Sequence, residues 1–135
     1  MDWKLEVVTI PVSDLERAKD FYVEQVGFNV GIDHRISDEV RLIQLTAPGS
    51  ACSIHLGGPG MAPGSIKSLF LVVPDVRAAR THLMVRGVEA SEVQVFDNGS
   101  YRPSREGENL DLVGCVFFSD PDGNGWVVQQ IPARQ

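Results

Sequence analysis

Hydrophobic and polar positions divide the chain into two blocks with the same order of predicted elements. The first block opens with an apolar run at 5–12, followed by a helix from Asp14 to about Val26 with one apolar stripe. Three further apolar runs, separated by polar turns, follow at 28–34, 40–46 and 51–56. A strand, a helix and three more strands in this order predict a βαβββ unit.

The pattern restarts after a stretch rich in glycine and proline, which do not suit regular structure. A strand at 69–73, a helix from Asp75 to Arg86 and a short strand at 92–96 follow one another. A long polar segment then occupies 97–111. Long ordered loops in compact domains often act as lids, and Tyr101 is the residue in this one that we expect to reach a ligand.

An internal repeat connects the two blocks, since residues 11–19 align with residues 72–80 and place Asp, aliphatic, Ala and basic residues in register. Such a repeat predicts two copies of one supersecondary unit. We therefore predict a first module at 1–57, a linker at 58–65 and a second module at 66–135, all within one structural domain.

Five turn-forming residues, Asp120-Pro121-Asp122-Gly123-Asn124, lie near the end of the second block between apolar runs at 116–118 and 126–128. Proline presets the backbone for a turn, aspartate caps backbone N–H groups, and glycine and asparagine tolerate positive φ. The pattern predicts a closing β-hairpin.

Composition narrows the classes of function. The chain of 135 residues has a net charge of −6 and a pI near 4.9, which argues against nucleic-acid binding because phosphate contacts need clustered Lys and Arg. No apolar run approaches the length that a membrane span needs, and the charged N-terminus lacks the pattern of a signal peptide. Cys52 and Cys115 lie in apolar runs without metal-binding spacing, so we expect reduced thiols and a cytoplasmic protein.

The two βαβββ copies, the helix start from Val12 to Tyr22, Gly27-Phe28 after that helix, and the Asp-Pro-Asp-Gly-Asn turn together resemble the vicinal oxygen chelate superfamily. This superfamily includes glyoxalase I, extradiol dioxygenases and bleomycin-resistance proteins. The resemblance implies an α+β fold in which two tandem βαβββ modules form a curved mixed sheet with helices on the convex face. It also implies a homodimer.

The resemblance further implies four ligands for a divalent metal, and the matching positions here are Val7, His55, Ser68 and Val127. One imidazole, one hydroxyl and two aliphatic side chains do not suit a catalytic divalent ion. We therefore expect no metal and no other cofactor.

Strand alternation instead predicts an apolar pocket with a few polar groups on the concave face of the sheet. The residues that we expect to line it are Val7, Thr9, Arg41, Ser53, His55, Ser68, Phe70, Tyr101, Val127 and Gln129. His55 also has a structural interpretation, as a half-buried strand residue bonded to a backbone carbonyl.

Three functions remain open at this point. The first is a binding protein, similar to the bleomycin-resistance branch, that holds a small organic molecule in a metal-free pocket. The second is a metal-independent isomerase-like or lyase-like enzyme with His55 as general acid or base, since imidazole suits proton transfer near neutral pH. The third, which has the least support, is a metal-dependent lyase or dioxygenase.

Overall fold

The computed structural model describes residues 1–132, and within them the chain forms two compact units. The first unit comprises Met1–Ile66 together with Asp120–Asn124. The second comprises Lys67–Ser119 and the chain from Gly125 onward. Residues 133–135, which end the predicted second module, lie outside the described residues. No helix in the described part of the chain is long and apolar enough to cross a membrane.

The first unit has the predicted βαβββ order. Its elements are β1 (Val7–Pro11), α1 (Leu15–Asp20), a π-helical turn (Phe21–Val26), β2 (Asn29–Arg35), β3 (Arg41–Thr46) and β4 (Ser53–Gly57). The strands form one sheet in the order β1-β4-β3-β2, in which β1 is parallel to β4 and the other pairs are antiparallel.

The single helix predicted from Asp14 to Val26 divides into a short α-helix and a wider turn. Asp14 caps α1, because its Oδ1 accepts a hydrogen bond from the Arg17 N–H at 3.1 Å. The π-helical turn ends at Gly27, whose φ of 105° is the left-handed conformation that glycine adopts most easily. Its buried side chains, Phe21 and Tyr22, contact each other edge to face.

Alternation along the strands separates the two faces of this sheet. The face toward α1 carries the aliphatic core of the unit, all of it buried: Ile10, Ile43, Leu45, Ile54 and Leu56. The opposite face is more polar and more exposed.

The second unit contains one strand more than predicted. Its elements are β5 (Leu69–Val73), α2 (Val76–Val85), β6 (Gln94–Asp97), β7 (Ser100–Pro103), β8 (Gly114–Ser119) and β9 (Gly125–Gln130), arranged in the sheet order β5-β9-β8-β6-β7. The additional strand β7 lies within the segment 97–111, for which we predicted a loop. Asn98 and Gly99, both at positive φ, form the two-residue turn of a β6–β7 hairpin.

The turn Asp120–Asn124 belongs to the first unit, where its polar side chains are buried and fully hydrogen-bonded. The Asp120 carboxylate accepts hydrogen bonds from the Tyr22 hydroxyl at 2.7 Å and from the Asn124 amide at 2.8 Å. It also accepts from the backbone N–H groups of Asp122 and Asn124, at 3.0 and 2.9 Å. The Asn124 amide donates in addition to the carbonyl of Pro11 at 2.8 Å.

Backbone contacts hold the same turn closely. Gly64 has a φ of 78°, and a Cβ atom on it would lie 2.1 Å from the carbonyl oxygen of Asp122. The Ser13 hydroxyl donates to the Asp122 carboxylate at 2.6 Å, and the Asn124 amide oxygen accepts from the Ile66 N–H at 3.2 Å. The Asp-Pro-Asp-Gly-Asn sequence is therefore a structural element of the first unit.

Candidate ligand-binding site

Four of the predicted site residues share the face of the first sheet that points away from α1. In the register of β1 and β4, Val7 lies opposite Ser53 and Thr9 lies opposite His55. Gln44 of β3 lies on the other side of His55. The Ser53 and Thr46 hydroxyls are hydrogen-bonded to each other at 2.7 Å, so these two groups satisfy one another.

His55 differs from its neighbours because its imidazole has no hydrogen-bond or ion-pair partner among the described residues. The residue is half-buried, between Thr9 and Gln44. An imidazole that is partly removed from water and unpaired within the protein can donate to or accept from a bound molecule at little cost.

His55 is also one of the residues that line a groove of about 460 Å³ at one end of the same sheet. We call it the sheet-end groove. Its walls come from the segment after β1, the β2–β3 turn, the start of β3 and the end of β4. The lining residues are Val12, Leu15, Ile36, Glu39, Val40, Arg41, Leu42, His55, Leu56, Gly57, Gly58 and Pro59. Its size and mostly apolar lining are those of a small-molecule site.

The structure corrects the expected orientation of Arg41. We expected its side chain on the same face as His55, but strand alternation puts it beside Ile43 on the face toward α1. There its guanidinium makes two 2.8 Å hydrogen bonds to the Asp33 carboxylate and a further ion pair with Glu16. These partners raise the pKa of Arg41, and the bonds from Arg41 and Lys19 hold the pKa of Asp33 well below its usual range.

Predicted residues of the second unit lie on the face of its sheet away from α2. Phe70 and Phe117 flank Val127 in adjacent strands, and Gln129 is two residues along from Val127. The Gln129 amide donates to the carbonyl of Leu112 at 2.8 Å. Ser68 precedes β5, outside the strand, at a φ of 60°.

The structure also corrects the position of Tyr101, which lies in β7 and not in a loop. Its ring packs edge to face on Phe117, with centroids 4.9 Å apart, and lies 5.2 Å from Phe96. Burial, followed by the contact with Cys115, raises the pKa of Tyr101. Residues 97–103 of the segment that we predicted to be a loop, with a lid as one open role, thus belong to the β6–β7 hairpin of the sheet.

The residues at the family's metal positions do not fit a divalent ion. Val7 and Val127 offer no donor atom, and Ser68 offers one neutral hydroxyl. Within residues 1–132 no group of three or more His, Cys, Asp and Glu side chains is arranged to hold a metal. His55 is therefore the single strong donor among the four positions.

A sequence model of the Glyoxalase/Bleomycin resistance protein/Dioxygenase superfamily matches residues 4–128. The chain belongs to this superfamily. The curated protein YetH of Bacillus subtilis strain 168, which is uncharacterized, is 23% identical over 131 residues, which are 94% of this chain and 98% of that protein.

Two solved structures resemble the chain over nearly its whole length. TnmS3, an antibiotic-binding protein from Streptomyces sp. CB03234, is 33% identical with a TM-score of 0.73 and covers 98% of each chain. A glyoxalase/bleomycin resistance protein from the same organism is 34% identical with a TM-score of 0.71, over 94% of this chain and 100% of that one. The α+β fold predicted from the repeat and the hairpin is thus confirmed.

Sequence reasoning missed the β2–β3 turn as part of a site. Ile36 and Val40 are aliphatic and flank a polar turn, yet these residues are 62% and 50% exposed. Both line the sheet-end groove together with Glu39. Aliphatic residues directly beside a polar turn were the available signal in the sequence, since a turn without a binding role is usually polar.

Proposed function

We propose that this protein binds a small organic molecule in the sheet-end groove, without a metal held by the family's four positions. The observation that carries the proposal is that His55, whose imidazole has no partner among residues 1–132, lines a mostly apolar groove of about 460 Å³. A few polar groups in an apolar cavity are the usual composition of a ligand site. The similarity to TnmS3, which is described as antibiotic-binding, supports the same class of function.

The experiment is a thermal-shift screen of drug-like organic compounds, followed by calorimetry of hits on parent, His55→Ala and His34→Ala proteins. His34 lies opposite Leu42 in the adjacent strand pair and does not line the groove, so it is a matched control. The His55→Ala variant loses one hydrogen bond to the ligand, so its affinity should be about two- to tenfold lower than that of the parent protein. Equal affinity of the two variants would contradict the proposed role of His55.

A second candidate function is a metal-independent enzyme in which His55 is the general acid or base. The free imidazole favours this candidate too, because a proton-transfer group must be available to substrate. Loss of a general base would lower turnover by about 10²–10⁴ with little change in binding. A bound compound recovered chemically unchanged after prolonged incubation with the parent protein would favour binding alone.

We also propose a homodimer, as the superfamily resemblance implies, and a cytoplasmic location, as the expected reduced thiols indicate. Four large apolar side chains on the face away from α2 are exposed in the single chain: Phe70, Val72, Phe96 and Tyr101. An exposed apolar face of this kind commonly marks an interface. Sedimentation velocity at micromolar concentration should give the mass of two chains, and the mass of one chain would refute the dimer.

A further inference from the structure

The charged groups of the sheet-end groove differ in whether they are free to meet a ligand. Three lining residues carry ionisable side chains, and they are Glu39, Arg41 and His55. The charge of Arg41 is already compensated, since its guanidinium is paired with the carboxylates of Asp33 and Glu16. An anionic ligand would therefore find no free cation in the lining.

The Glu39 carboxylate, unlike the Arg41 guanidinium, is available to a ligand. Its carboxylate has no hydrogen-bond or ion-pair partner among residues 1–132. Its backbone is nevertheless held in place, because the Ser37 hydroxyl accepts from the N–H groups of Glu39 and Val40, at 3.3 and 3.1 Å. The turn is closed further by the Ile36 N–H, which donates to the Val40 carbonyl at 2.8 Å. A free carboxylate on a fixed turn is preorganised for a cation.

The neighbours of Glu39 indicate the rest of the ligand. Ile36 and Val40, the exposed aliphatic residues of the same turn, present apolar surface beside the carboxylate. Covering that surface is favourable, and two further lining residues, Val12 and Leu15, are also aliphatic.

We propose that the ligand of the sheet-end groove is an organic cation, namely an apolar body that carries a protonated amine, with the amine bound by Glu39 and the body covering Ile36 and Val40. This inference rests on the proposed function and specifies the chemistry of the same site. His55 provides a second hydrogen bond from the groove wall, to a polar atom on the apolar body.

The test uses three probes that share a naphthyl group and differ in their polar group. They are 2-naphthylmethylamine, 2-naphthylmethanol and 2-naphthoate, and each is titrated calorimetrically into the parent protein. Because Glu39 is exposed, its ion pair should favour the amine over the alcohol by about twofold to fivefold at low salt. The carboxylate should bind most weakly. Added salt should reduce the preference for the amine, since screening weakens an exposed ion pair.

The decisive variants are Glu39→Gln and Glu106→Gln, which change the net charge equally. Glu106 is exposed in the second unit and does not line the groove. Glu39→Gln should lower the amine's affinity to that of the alcohol, and Glu106→Gln should leave the preference intact. Amide shifts in NMR spectra of the parent should cluster on residues 36–42 and 55–59.

The outcomes separate this inference from the proposed function. Alcohol and amine that bind the groove equally, or a preference that both variants reduce alike, would overturn the cation inference and leave small-molecule binding in place. Probes that shift no amides of the groove would overturn both.

Discussion

The buried turn Asp120–Asn124 and the sheet-end groove both place polar side chains among apolar residues of the first unit, but they do so in opposite ways. In the turn, the Asp120 carboxylate accepts four hydrogen bonds, two from side chains and two from backbone N–H groups. In the groove, the side chains of His55 and Glu39 make none among the described residues.

Burial explains the difference. Asp120 and Asn124 are only 5% and 0% exposed, so water cannot replace any bond that the protein fails to make. His55 and Glu39 keep access to solvent, and water satisfies them until a ligand does. Polar groups that are buried and bonded therefore specify the fold, whereas polar groups that are accessible and unpaired are available for binding.

The largest effect is expected for Asp120→Ala. This substitution leaves the Tyr22 hydroxyl, the Asn124 amide and two backbone N–H groups without their acceptor. Stranding several buried donors should lower the free energy of unfolding by about 3–5 kcal/mol. Urea denaturation followed by circular dichroism measures the loss.

The matched control for that variant is Asp38→Ala, in the exposed β2–β3 turn. The Asp38 carboxylate has no bond among the described residues, so its removal should change stability by less than about 0.5 kcal/mol. A similar loss in both variants would mean that the network around Asp120 is not what stabilises the turn.

The fold could be predicted because its signals are local and occur twice. The Asp14 and Asp75 helix starts, the strand periodicity and the Asp-Pro-Asp-Gly-Asn turn each depend on neighbours in sequence. The strand β7 was missed because the polar composition of 97–111 outweighed the Asn98-Gly99 turn signal, although that signal favours a hairpin.

The buried turn's partners and the site were harder to predict because both depend on contacts between residues that are distant in sequence. The partners Tyr22 and Asp120 are 98 positions apart, so the sequence marks a turn but not the residue that closes it. The orientation of Arg41 depends on strand register, and the register of β2 and β3 shifts at a bulge between Val30 and Ile32. The groove itself is formed by three separate segments, each of which is ordinary when taken alone.

No loss of stability is expected for His55→Leu, which removes a polar group from the groove instead of the turn. No partner within the described residues loses a bond, and the leucine side chain adds apolar surface to a lining that is already mostly apolar. The free energy of unfolding should therefore stay constant or rise by up to about 1 kcal/mol. Ligand affinity should fall in the same variant, since leucine cannot hydrogen-bond.

His34→Leu, on an exposed strand outside the groove, controls for the added hydrophobicity and should leave affinity unchanged. A loss of more than about 1 kcal/mol in His55→Leu alone would show that the imidazole supports the fold, as Asp120 does. A gain in stability together with a loss of binding would instead place His55 among residues kept for function at no benefit to the fold.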